Sequence, residues 1–127
     1  NVVIGFGTVF SHADTEIGDN VYIGPQGNIG LCSIEEDCLL GSGVHILSGK
    51  KQHNFKHPTV PLRMQGGTYE KIILGNNVWV GNCAVVMADV GERSVIGAGA
   101  VVAKDVESLS VMSGNPAVLV SRISHDI

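Results

Sequence analysis

The side chains of this 127-residue chain with reactivity beyond packing are five histidines, three cysteines and one tryptophan. Two histidines, His53 and His57, stand four apart in one stretch, LSGKKQHNFKHPTVPLRMQGGTYEKII. A neutral imidazole, with a pKa of about 6.5, takes up a proton readily near neutral pH and so suits a general base. The same stretch is basic. Residues 49–71 carry Lys50, Lys51, Lys56, Arg63 and Lys71 against Glu70, a net of +4. The rest of the chain has three basic and eleven acidic residues, a net of −8. A basic segment on an acidic body points to an anionic ligand held there. His12, His45 and His125 stand apart and are read as structural or surface residues. Cys32, Cys38 and Cys83 are an odd set without CxxC or Cys–His zinc spacing, which predicts buried, reduced thiols in a cytosolic protein. The net charge of −4 excludes a dedicated nucleic-acid binder.

Something must hold these groups, and composition says what kind of scaffold. Val and Ile number 29, Leu only 8, and Gly 17. That balance disfavours a helical bundle and favours short strands broken by turns. No charge-free apolar run reaches about 18 residues, so no membrane-spanning helix is expected. A mean hydropathy of +0.26 argues against disorder. The opening NVVIGFG has no basic stretch ahead of an apolar one, so no signal peptide is expected. It also lacks Met, which predicts residues upstream.

Aliphatic or aromatic residues recur at Ile4, Phe10, Ile17, Ile23, Ile29, Ile34, Leu40, Ile46, Leu74, Val80, Val86, Ile96 and Val102. Eight of the 12 intervals equal six, and Gly follows in eight of the 13 cases. Thr8, Val21, Val44, Val78, Ala84, Val90 and Ala100 fall four residues after a rung, as smaller companions. Six is even, so it matches strand alternation and not a helix. Glycine at a fixed phase marks a recurring corner. Strand plus corner, repeated, is a coil, and stacked coils place parallel strands about 4.8 Å apart. The interval from Val86 to Ile96 is two residues short of two hexapeptides, an irregularity at Ala88–Gly91. The 28-residue interval from Ile46 to Leu74 is far too long for a corner, and long loops in compact domains carry function.

Units such as IGDNVY, VGNCAV and IGAGAV resemble the hexapeptide-repeat acyltransferases, most densely across LGNNVWVGNCAVVMADVGERSVIGAGAVVAKDV and the closing SGNPAVLV. The resemblance implies an all-β, left-handed parallel β-helix over residues 1–127 as one domain. Its thirteen hexapeptides make four to five coils, with a projecting loop at 49–71 and a C-terminal tail at 107–127. It implies an O-acetyltransferase using acetyl-CoA, with a sugar or polysaccharide acceptor and direct transfer in a ternary complex. A hydroxyl attacks a thioester poorly until a base removes its proton. The QHNF stretch is similar to the family's base position, which makes His53 the base and His57 the alternate. Trp79, in NNVWVG, would stand beside the acceptor and thioester, or anchor a subunit interface. Gly81, Asn82, Gly97, Ala98 and Ala103 would wall the coenzyme groove, and Lys104 in AKD would meet its phosphates, with Arg122 nearby. Val118 and Ser121 stand where the family carries further basic residues, which puts those phosphate contacts in doubt. The resemblance further implies a cytoplasmic homotrimer with sites between subunits and no metal. The tail at 107–127 leaves the repeat and could cover one coil end, while at the other end the coil begins almost at once, without a cap. Two other readings share the coil: a γ-type zinc carbonic anhydrase, whose histidine pair five apart is missing here, and a non-catalytic assembly module.

Overall fold

The computed structural model describes residues 1–124, and His125 lies outside the described residues. The secondary structure is strand and turn, apart from a single 3-10 turn at Leu62–Met64. Among the described residues no helix is long and apolar enough to cross a membrane. Two-residue strands alternate with corners, and each strand pairs in parallel with the strand one coil further on, which wraps the chain into a prism of three faces. The first face stacks Val3–Ile4, Tyr22–Ile23, Leu39–Leu40, Trp79–Val80, Val95–Ile96 and Ser110–Ser113. The second stacks Val9–Phe10, Asn28–Ile29, His45–Ile46, Val85–Val86 and Val101–Val102. The third stacks Glu16–Ile17, Cys32–Ile34 and Ile72–Leu74, continued by single bridges at Val90 and Val106.

In the strands of the coil one residue faces in and its neighbour faces out. The inward columns are in register. Ile4, Ile23, Leu40, Val80, Ile96 and Met112 form the first. Phe10, Ile29, Ile46, Val86 and Val102 form the second. Ile17, Ile34, Leu74, Val90 and Val106 form the third. Ile23, Leu40, Leu74, Val80, Val86 and Ile96 are all 0% exposed, so each contributes about 1.5–3 kcal/mol by leaving water. The coil therefore extends further than thirteen hexapeptides. It makes five full turns and a sixth rung on the first face. Val90, expected as a companion of Val86, is itself a rung, and the strand Ser110–Ser113 belongs to the coil and not to a departing tail.

The three corners differ. Between first and second faces, and between third and first, successive rungs are always six residues apart. At these corners the third residue after the rung has positive φ: Gly7, Gln26, Gly43, Cys83 and Gly99 at one, Asn20, Asp37, Asn77, Arg93 and Leu109 at the other. One left-handed residue turns the backbone sharply, which suits Gly, Asn and Asp. The corner between second and third faces has no such residue in its four short passages, and only the long interruption carries one there, Gly49. There the intervals are seven, five, 28, four and four, from Phe10 to Ile17 through Val102 to Val106. Every break in the hexapeptide period falls on this corner.

After the sixth rung the chain turns back, and Val118–Arg122 pairs antiparallel with Ser110–Ser113, covering that strand edge. At the opposite end the inward Ile4 and Phe10 remain 45% and 37% exposed. Cys32 and Cys38 are buried, the latter donating its thiol to the Gly75 carbonyl at 3.1 Å. Cys83 departs from expectation: it holds a left-handed corner position, whose side chain points out, and it is exposed. Burial pushes the Cys32 thiol up from 9.0 to about 12.

Three outcomes follow. An added Cβ at Gly81 would lie 2.5 Å from the Ala98 amide nitrogen. Gly81→Ala is expected to cost about 2 kcal/mol by forcing two coils apart, read as a lower urea midpoint. In the native protein one thiol, that of Cys83, is expected to react with an aromatic disulfide reagent, and three after denaturation. The unfolded chain releases the Cys32 proton near pH 9.0 and the folded chain only near 12, so stability falls as pH rises through that window.

Candidate active site

The long interruption leaves the coil after Leu47 and rejoins it at Ile72, at the one corner whose length varies. With no buried apolar anchor of its own, it is ordered by hydrogen bonds. Its two arms run side by side: Glu70 N–H donates to the Ser48 carbonyl at 2.9 Å, Thr68 to Lys51 at 2.8 Å, and Asn54 to Gly66 at 2.8 Å. The arms approach so closely at Gly67 that a Cβ would fall 1.9 Å from the Gln52 carbonyl oxygen. The buried Ser48 roots the loop, its hydroxyl accepting from Leu31 N–H at 2.8 Å. The Gln52 amide oxygen in turn accepts from Ser48 N–H at 2.7 Å. Tyr69 meets the His12 ring edge-on, centroids 5.0 Å apart, which gives His12 a packing role. Lys71 pairs with Glu16, holding that carboxyl below its usual range.

Gln65 fastens the crown. Its amide nitrogen donates to the carbonyls of His57 at 3.0 Å and Val60 at 2.8 Å, and its amide oxygen accepts from His57 N–H at 3.1 Å. Under this clamp lies a recess of about 540 Å3 lined by His53, His57, Lys50, Lys51, Lys56 and Phe55. The sequence-based pair of bases thus shares one recess. Nδ1 of His57 lies 3.4 Å from the amide and hydroxyl of Thr59. The His53 ring has no hydrogen-bond partner among the described residues. Gln65, Gln52 and Phe55 were not singled out by sequence. The QGG ending, with two glycines beside Gln65, was the available signal for a tight crown.

The remaining expected residues do not gather around this recess within one chain. Ala103 and Lys104 lie on the same corner two coils on, on a groove of about 390 Å3 with Met112, Pro116, Val118 and Leu119. That apolar lining includes Val118, one of the two positions where basic residues were lacking. Arg122 is engaged elsewhere, with Glu107 at 2.9 Å and the Ser110 hydroxyl at 3.1 Å. Gly81, Asn82, Gly97 and Ala98 form the corner between first and second faces, where the Asn82 side-chain oxygen accepts from Ser42 N–H at 2.9 Å. Trp79 is 53% exposed on the first face, in a column with Tyr22, Leu39 and Val95. That face lies across the prism from the histidine loop. Among the described residues of one chain no three His, Cys, Asp or Glu side chains converge as a metal set.

Gln65→Ala removes three bonds at the crown. It is expected to expose Lys56 and Arg63 to trypsin about fivefold faster, by about 1 kcal/mol of local stability, with an unchanged thermal midpoint.

No family model matches the chain. It is 33% identical over 114 residues to the galactoside O-acetyltransferase of Escherichia coli strain K12, covering 84% of this chain and 56% of that protein. Two solved structures share the fold. A maltose O-acetyltransferase from Clostridium difficile 630 superposes with a TM-score of 0.85 at 23% identity, covering 98% of this chain and 68% of that one. A galactoside acetyltransferase in complex with coenzyme A gives 0.74 at 27% identity, covering 97% and 65%. The chain spans 55–64% of the length of the first curated relatives it matches. By its coil, its interrupted hexapeptide period and these likenesses, the chain has the fold of the hexapeptide-repeat acetyltransferases and is similar in sequence to sugar O-acetyltransferases.

Proposed function

We propose that the protein is an acetyl-CoA-dependent O-acetyltransferase acting on a sugar hydroxyl, with His53 as general base. The observation that carries this reading is the unpartnered His53 imidazole in a cationic recess, on the same corner as the Lys104 groove. The galactoside and maltose acetyltransferases to which the chain is similar support a saccharide acceptor. The neighbour holding coenzyme A supports that donor. The residues here fit it: the apolar groove suits a pantetheine arm, and the Lys104 ammonium suits a phosphate as a point charge. Acetyl-CoA supplies the activated acyl carbon. His53 takes the proton of the acceptor hydroxyl as its oxygen attacks that carbon. Collapse of the tetrahedral intermediate breaks the carbon–sulfur bond, and the imidazolium returns the proton to the departing thiolate.

The reading includes a left-handed coil and a homotrimer in the cytoplasm. One chain carries two half-sites, the histidine loop on one corner and Trp79 with Gly81, Asn82, Gly97 and Ala98 across the prism. Apposing one copy's loop to a second copy's corner completes the set. The second histidine, His57, is the alternate base, though its Nδ1 is already near Thr59.

The test is release of free coenzyme A thiol with a panel of sugars. His53→Ala is expected to lower kcat about 10²–10⁴-fold with the coenzyme still bound, and His57→Ala far less. Undiminished turnover in His53→Ala removes it from the role. A stable monomer in sedimentation removes the shared site.

A further inference from the structure

The geometry points to an acceptor that is itself an anion: a pyranose carrying a carboxylate or phosphate near the hydroxyl that is acetylated. This rests on the acetyltransfer reading and names its substrate class. Three lysines, Lys50, Lys51 and Lys56, line the recess that holds both histidines, and no Asp or Glu lines it. Among the described residues none of the three has a carboxylate within 4.0 Å, since the ion pairs formed are Lys71–Glu16 and Arg122–Glu107. Three like charges around one cavity repel each other, and an anion seated among them removes that repulsion. The segment carries +4 on a body of −8, so this recess is the chain's cationic pole.

The cations sit with the base and apart from the coenzyme groove, which has its own lysine, Lys104, two coils away. Lys50 and Lys51 also border a second cleft holding Glu70, Asp89 and Asp105, and that acidic neighbour leaves Lys56 as the cation committed to the recess alone. Phe55, 70% exposed, adds a flat apolar wall that suits the C–H face of a sugar ring. A volume of about 540 Å3 is room for one or two sugar rings. A neutral acceptor would use the aromatic wall and the base and leave Lys56 without a counter-charge.

The experiment pairs neutral and acidic acceptors of one stereochemistry: galactose, galacturonate and galactose 1-phosphate. Transfer is followed by thiol release, and binding by calorimetry without donor. An acidic member is expected to exceed galactose about tenfold in kcat/KM, about 1.4 kcal/mol, mostly through KM. Which of the two acids gains tells carboxylate from phosphate. Lys56→Gln is expected to reduce that ratio several-fold, and raised salt to do the same. Acidic sugars that bind while no sugar is acetylated overturn the transfer reading, and with it the acceptor role, and leave only an anion site at the recess. Equal or better transfer to galactose overturns the inference and leaves the transfer reading intact. So does a Lys56→Gln variant whose defect lies in KM for acetyl-CoA, which would assign the cation to the donor.

Discussion

Each coil rests directly on the one before it, at hydrogen-bonding distance, so the path of one turn is dictated by the turn beneath. A rung out of phase would put a polar side chain inside or an aliphatic one outside. The two tight corners hold that phase. A single left-handed residue in each, such as Asn77 or Gly99, brings the chain round in six residues every time. Where backbones pass closest a side chain has no space, as at Gly81 over Ala98. The third corner is under no such uniform demand: its four short passages bend without a left-handed residue, and the long one, which turns at Gly49, can lengthen outward. Coils there tolerate intervals from four residues to 28 without loss of register, and the functional loop grows from that corner.

The loop solves a different problem. It has no core to lean on, so its shape comes from paired arms, a serine root and a glutamine clamp. Such a construction is rigid where bonded and open where not. His53 therefore sits on a defined backbone with an uncommitted ring. A histidine positioned from its own chain by backbone alone leaves room for a neighbour to supply the rest of its environment. The split of the expected residues between two corners fits that arrangement.

The scaffold was legible because six-residue spacing and a following glycine are local signals that survive at two corners of three. Val90, Val106 and Met112 escaped notice for one physical reason. A four-residue corner shifts the phase, so Val90 read as a companion of Val86. Cys83 was misjudged because burial was inferred from residue type, whereas its place is a left-handed corner position that points outward. In the site, the histidines and lysines were legible as a charge and composition anomaly, and the recess does join them. Their separation from Trp79 was not, since the chain order of residues says nothing about which side of a prism each will face. Gln65 was silent in sequence because a clamp is defined by the carbonyls it reaches.

The uneven corner also orders assembly in time. Successive first-face rungs are 16 residues apart from Val80 to Ile96 and again to Met112, but 40 apart from Leu40 to Val80. Closing the longer segment costs about 0.8 kcal/mol more in chain entropy, before the loop's own ordering. After the loop, rungs on every face recur 16 residues apart, the closing hairpin is more local still, and local contacts form first. The loop thus marks a seam between two stacks of local rungs, 17–19 residues apart before it and 16 after it. The histidine recess lies on that seam, at the least local joint of the coil.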